Sequence, residues 1–338
     1  MLSHTGRGKS GLSAKNIGKK LFSDYNYLVS FLLIVMIAVI ANPNFFRWRN
    51  ISNIFLQSAA STGLIALGMT MVICAGQIDI SVGAQVAIIS GFGIEVLNYT
   101  HNIWLMLLFC VAFGGMIGMF NGILVAKVRM PAMIATLAVQ TSCRAIVNHF
   151  GQGGPFSVAG GISTEPYYET FRRLASGSVS VFGLNVPYPM IIFIAMGLFF
   201  GLIMQHTRLG KHIYSVGSNE TSARLAGVNV NRIKIAVFFI TGLMCGLTSW
   251  IYSSRLMAVT AASAGNQFEM DAIAAVAIGG TAMSGGRGKI IGTFLGVLMF
   301  KIINNTLVAA KVPTFLTGAI SGAIIIIAVL LQNVRGRK

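Results

Sequence analysis

The chain has 338 residues, of which 55% are hydrophobic and 10% charged, whereas soluble domains carry about a quarter charged residues. Its mean hydropathy of +0.76 and the long apolar runs along its whole length exclude a water-soluble domain and imply an all-α, polytopic membrane protein. A net charge of +17 would point to nucleic acid in a soluble protein, but here the charges sort by side of the membrane and no nucleic-acid partner is expected.

In chain order, a basic tail (1–26) precedes a membrane domain (27–333), and a short basic tail (334–338) ends the chain. Ten apolar runs are predicted as spans, at 27–41, 54–75, 82–97, 103–126, 131–149, 187–205, 235–253, 271–283, 290–309 and 314–333. With the N-terminus inside, the two tails, Lys127/Arg129, the 206–234 insert and Arg287/Lys289 hold 17 of the 25 Lys and Arg residues. The positive-inside rule then places both termini and the insert in the cytoplasm of a multi-pass membrane protein. The basic start and first apolar run resemble a secretory signal, but the tail is long for one and spans continue after it, so an uncleaved first span is expected. Gly8-Lys9-Ser10 ends like a phosphate-binding loop, yet the motif needs glycine where Ser3 stands.

The run at 54–75 ends in a break through Gly76, Asp79, Ser81 and Gly83, and a similar break follows 271–283 through Gly279, Gly280, Ser284 and Gly288. An offset of 205 pairs Ile73 with Ile278, Gly83 with Gly288 and Gly91 with Gly296, a weak internal repeat. Irregular backbone at membrane depth is tolerated against protein or a water-filled cavity, so Asp79 and Ser81 are candidate pathway residues. The same residues also suit tight cytoplasmic turns, with Asp79 or Ser81 capping the next helix.

Cys74, Cys110, Cys143 and Cys245 have no paired spacing and the five histidines are scattered, so neither disulfide, metal site nor cofactor is indicated. GxxxG pairs at Gly114/Gly118/Gly122, Gly197/Gly201, Gly242/Gly246, Gly292/Gly296 and Gly318/Gly322 predict close helix packing. Lys301 lies centrally in a span, with Asn304 and Asn305 on its helix face; the three can line a polar path, but hydrogen bonding to neighbouring helices is the favoured reading. Glu95 and Arg144 sit near span ends and are expected to snorkel. Glu269 and Asp271 start a span, where the helix dipole favours acids.

The most informative segment is the insert, TRLGKHIYSVGSNETSARLAGVNVNRIK at 207–234, a basic, water-compatible stretch between apolar runs. Asn219, Glu220, Ala223 and Arg224 have the spacing of one face of a short helix suited to a partner's groove. This segment resembles the cytoplasmic coupling loop of the ribose/xylose/galactose-type permeases of bacterial binding-protein-dependent ABC importers. The matching positions include Arg208, Gly217, Asn219, Glu220, Ala223, Arg224 and Gly227. Three further blocks agree: NPNFF (42–46), GMTMVI…IDISVG (68–83) and FEMDAIAAVAIGGTAMSGGRGKIIGT (268–293). The chain departs from the family pattern at Gln77, Ser218, Thr221-Ser222 and Lys301. The resemblance implies a transport subunit rather than an enzyme, and a monosaccharide or related small polar solute as cargo. It implies a cytoplasmic ABC ATPase docked on the coupling loop, an extracytoplasmic sugar-binding protein, and a second permease subunit, a copy or a paralogue, all set in membrane lipid. A permease for branched-chain amino acids is a related alternative. An ion-coupled secondary transporter is another, but would need intramembrane carboxylates as ion sites, and the eight acids lie mostly at ends or in loops.

Overall fold

The computed structural model describes residues 26–313, apart from 60, 161–165 and 182, together with scattered positions between 316 and 326. The basic tails, up to residue 25 and from 334 onward, and most of the apolar run at 314–333 lie outside the described residues.

The fold is a helical bundle. Helices α1 (Asn26–Ala41), α2 (Trp48–Ala59), α3 (Gly63–Cys74), α4 (Val82–Thr100), α5 (Ile103–Ala126) and α6 (Ala132–Gly151) make its first half. Strand β1 (Pro155–Ser157), helix α7 (Pro166–Ser176), the hairpin β2 (Ser178–Val181) and β3 (Leu184–Pro187), and α8 (Tyr188–His206) follow. The insert forms α9 (Arg208–Ser218) and α10 (Glu220–Leu225). The long α11 (Val230–Leu256), strand β4 (Ala258–Thr260), α12 (Phe268–Ile278) and α13 (Ile290–Ala309) complete the described chain. The strands form two small antiparallel pairs, β1 with β4 and β2 with β3, the only departure from an all-helical reading among the described residues.

Among the described residues, five helices, α4, α5, α8, α11 and α13, are long and apolar enough to cross a membrane. The predicted span at 54–75 falls on the pair α2–α3, two helices bent by 49° that together are long and apolar enough to cross as one broken span. The run at 271–283 overlaps only the 11-residue α12, which ends at Ile278, reaches about 17 Å at 1.5 Å per residue and so covers about half of the hydrocarbon core. It follows β4 and an irregular stretch, 261–267, that packs against α4, with the carbonyl of Gly265 against Gly83.

The core is organised by α11, which runs antiparallel to α5 along a glycine seam. A Cβ on Gly114 would run into the Gly242 carbonyl, one on Gly118 into the Phe238 carbonyl, and one on Gly246 into the Cys110 carbonyl. Lipid supplies no hydrophobic drive for helix association, so this backbone-to-backbone contact provides the dispersion energy that holds the pair. On its far side α5 leaves Leu108, Met116 and Phe120 exposed, a face suited to lipid and costly in water. A second seam joins α12 to α13, where Gly279 meets Gly292 and Gly296 meets the Ala275 carbonyl. Thr70 and Thr293 share a buried hydrogen bond of 2.7 Å that ties α3 to α13, and Phe193 stacks on Phe294 at 4.5 Å to bring in α8.

The GxxxG pairs are therefore not equivalent. A Cβ on Gly201 meets nothing within 4 Å, whereas Gly114 and Gly242 have no room. Gly114→Leu is expected to lose folded protein, since overpacking costs about 1–3 kcal/mol or more, and Gly201→Ala should leave the melting temperature unchanged or raised. Thermal unfolding of the two variants in detergent checks this contrast.

Candidate coupling surface

Three side-chain caps shape the insert. Thr207 Oγ1 accepts from the Gly210 N–H at 3.3 Å, Asn219 Oδ1 from the Ser222 N–H at 2.8 Å, and Asn229 Oδ1 from the Arg232 N–H at 3.0 Å. Each satisfies an orphan donor at a helix start, which divides the segment into α9, α10 and the beginning of α11. Gly227, in the link from α10 to α11, has φ +82 with open space around it. The position is reserved by backbone conformation, and a side chain there costs about 1–2 kcal/mol.

Helix α9 lies against the bundle through Gly210, Ile213 and Val216, all buried. Tyr214 donates its hydroxyl to the Gly288 carbonyl at 2.7 Å. Burial pushes that phenol up to about 12, so it keeps its proton and the bond across the physiological range. At the end of α9, Gly217 packs onto both chain breaks at once. A Cβ there would run into the Cys74 carbonyl at the end of α3 and come within 2.7 Å of the Gly286 N–H in the α12–α13 turn. The two breaks bond to each other at the same point, Gly286 N–H donating to the Cys74 carbonyl at 3.0 Å. The weak internal repeat thus marks two turns that converge on one glycine of the insert.

Helix α10 is held by charge. Glu220 takes Lys234 of α11 at 2.8 Å and Arg224 at 3.1 Å. The Lys234 hydrogen bond, assisted by the charges of both cations, holds the Glu220 carboxyl below its ordinary value against a smaller opposing effect of burial. A carboxyl lowered on folding stabilises above its unfolded value, near 4.5, and loses that contribution as pH falls through the folded value. Acidification through the carboxylate range should therefore loosen α10 in the wild type and have less effect in Glu220→Gln, as read by proteolysis within 219–229 across a pH series. Both partners are partly exposed, so the effect is small.

Ala223, expected on the partner-facing side, is buried at 2% exposure and packs inward. Among the side chains that α10 presents outward, the large apolar one is Leu225, 84% exposed. It stands out in the sequence as a large apolar residue within a polar insert, and helical spacing from Asn219 and Glu220 passed over it. Arg208 is exposed at the first turn of α9.

The candidate pathway residues separate into two places. Asp79 and Ser81 are both 0% exposed. Asp79 Oδ1 accepts from the Ser81 N–H at 2.9 Å and from the Ser81 hydroxyl at 2.6 Å. Ser81 Oγ in turn accepts from Asn121 of α5 and Gln85 of α4, each at 2.8 Å. Ser81 stands at the start of α4 but makes no side-chain capping bond. The pair acts instead as a polar clamp joining the α3–α4 turn to α5, where an unpaired group would be costly. In the second place, Asn305 donates to Asn50 Oδ1 of α2 at 3.0 Å, the interhelical bond favoured for this face. Lys301 lies near Asp271 in electrostatic contact without an ion pair within 4 Å, and Asn304 is half-buried beside them. Glu269 and Asp271 stand in the first turn of α12 as the dipole favours. Arg144 does not snorkel: its guanidinium turns inward and donates to the carbonyls of Ala261 and Ala264 at 3.1 and 2.7 Å, bracing the stretch ahead of α12.

A model of the family described as branched-chain amino acid transport system / permease component matches residues 50–329. The chain belongs to this permease family. The permease is 33% identical to the ribose import permease protein RbsC of Haemophilus influenzae over 330 residues, 98% of this chain and 99% of that protein. It is 35% identical to RbsC of Escherichia coli K12 over 306 residues, covering 90% and 92%. It is 31% identical to the xylose transport system permease protein XylH of the same organism over 382 aligned positions, covering 94% and 95%. The curated relatives named here are thus sugar permeases, although the family description names branched-chain amino acids. As a permease component, the chain is a transport subunit, and its exposed apolar helices and five span-length segments fit a multi-pass membrane protein.

Proposed function

We propose that this permease is the membrane subunit of an ATP-driven importer that carries a monosaccharide, a pentose or hexose, into the cytoplasm. Both termini and the α9–α10 segment face the cytoplasm, two permease subunits enclose the route, and an extracytoplasmic sugar-binding protein delivers cargo at the opposite end. There a cleft of about 710 Å³ is lined by Asn42, Asn44, Arg47, Arg49 and Asn185, groups that suit a polar partner or solute.

The observation that carries this reading is the seating of Gly217 on both chain breaks. A partner pushing on α9–α10 acts directly on the ends of α3 and α12 and the turns that follow them. Arg208, Asn219, Glu220, Arg224 and Leu225 form the ATPase-facing surface, Ala223 and Gly217 fix it to the bundle, and Gly227 sets the turn behind it. Names of the relatives support the sugar over the branched-chain amino acids that the family description names.

Proteoliposomes containing this chain, a candidate ATPase from the same cell and its binding protein should take up labelled ribose or xylose only with internal-face ATP. Uptake that persists without ATP but follows an imposed ion gradient would sink the proposal.

A further inference from the structure

Beside α10, on the face turned toward α5 and α6, lies a second cleft of about 440 Å³, within the roughly 300–1,000 Å³ range of small-molecule sites. Its polar walls are Gln77, Arg129, Glu220, Arg224 and Lys234, and its floor is apolar, from the end of α5 and the start of α6. Glu220 is already shared between Arg224 and Lys234. Arg129 is exposed and makes no ion pair among the described residues. The three cations thus outnumber the single carboxylate, which leaves the cleft with positive charge to spare.

The turn that carries Arg129 is built rather than loose. Val128 N–H donates to the Ile123 carbonyl at 3.2 Å and Met130 N–H to the Leu124 carbonyl at 3.1 Å, with Arg129 between them at φ +62. A non-glycine residue held in the left-handed region is uncommon, and here it places a guanidinium at the mouth of the cleft. Directly beside it Val128, Met133 and Ile134 are exposed at 59%, 53% and 58%, with Leu137 one turn further along α6. Cations on one side and a stripe of exposed apolar side chains on the other, at the ends of membrane helices, match a molecule with an anionic head and a hydrocarbon tail.

We propose that this cleft binds the headgroup of an anionic phospholipid, its phosphate between Arg129, Arg224 and Lys234 and an acyl chain along Met133, Ile134 and Leu137. Basic pockets between membrane helices recognise lipid headgroups through this chemistry, and Arg suits phosphate by its forked donors. Two of these cations also hold Glu220, so the bound phosphate shares the ion pairs that fix α10, and lipid composition bears on the coupling surface. The site does not depend on which solute is carried.

Native mass spectrometry of the purified permease from nanodiscs, phosphatidylcholine alone or mixed with phosphatidylglycerol, tests this, with melting temperature as a second reading. The wild type should retain phosphatidylglycerol over phosphatidylcholine and melt higher when it is present. Arg129→Gln should lower that retention about fivefold, the worth of one basic residue at an anionic surface, while Arg47→Gln at the opposite end should not. Equal retention of the two lipids, or retention untouched by Arg129→Gln, would overturn the proposal. An equal thermal shift from inorganic phosphate alone would assign the cleft to free anions and reject the lipid. Weaker capture of the ATPase by Arg129→Gln with lipid retention unchanged would make it part of the docking surface, and would also reject the lipid.

Discussion

Gly217→Ala should abolish coupled uptake while leaving most of the bundle folded. One methyl group there has nowhere to go, because its position is taken by the Cys74 carbonyl and the Gly286 N–H closes the other side. Both obstacles are backbone, so no side-chain rotation relieves them. Either α9 lifts from the bundle or the bonded pair Gly286–Cys74 separates; forced overpacking of this kind costs about 1–3 kcal/mol. The α5–α11 and α12–α13 seams lie elsewhere and should hold, so circular dichroism at low temperature should match the wild type. Protease sensitivity at 207–229 and loss of ATP-dependent uptake should appear together. Normal uptake by Gly217→Ala would show that contact between α9 and the two breaks is not part of transport.

Leu225→Asp should give the opposite pattern, a stable permease that no longer holds its ATPase. At 84% exposure Leu225 contributes little to the fold, and exchange of an exposed apolar residue for a charge is expected within about 0.5 kcal/mol of neutral. If Leu225 is the apolar anchor of the interface, its loss should cost about 2 kcal/mol or more of binding, which is about thirtyfold in affinity. Co-purification with the ATPase in detergent, against unchanged melting of the permease alone, reads both halves. Capture equal to wild type would move the anchor to α9, with Arg208 as the next residue to replace.

Much of this was legible in the chain. The apolar runs at 103–126 and 290–309 coincide with α5 and α13, because uninterrupted apolar stretches of membrane length leave the backbone no alternative to a helix. Thr207, Asn219 and Asn229 cap the helices of the insert through ordinary chemistry, although Asn219 read in the sequence as one of four residues on a helix face and is instead the cap ahead of α10. What stayed hidden depended on partners far away in sequence. The clamp around Asp79 and Ser81 was hidden because Asn121, on α5, stands 40 residues beyond Ser81 along the chain. Arg144 looked like a snorkelling residue because its acceptors are backbone carbonyls 117 and 120 residues further on. The run at 271–283 looked like a span because hydropathy does not report where a helix stops, and α12 stops at Ile278. The equal standing given to every GxxxG pair failed for a similar reason, since spacing reports opportunity for close approach and only the neighbour decides it.

The shortness of α12 also bears on how the protein is made. Eleven residues cannot be taken for a membrane span as they leave the ribosome, and the acids Glu269 and Asp271 at their head make independent insertion costlier still. The segment must therefore enter the membrane with α13, zipped to it through Gly279–Gly292 and Gly296–Ala275, once Arg144 of the earlier helices is in place to receive the 261–264 carbonyls. Assembly of this part of the bundle is then ordered in time, the α12–α13 hairpin finding a cradle that the earlier helices have already built.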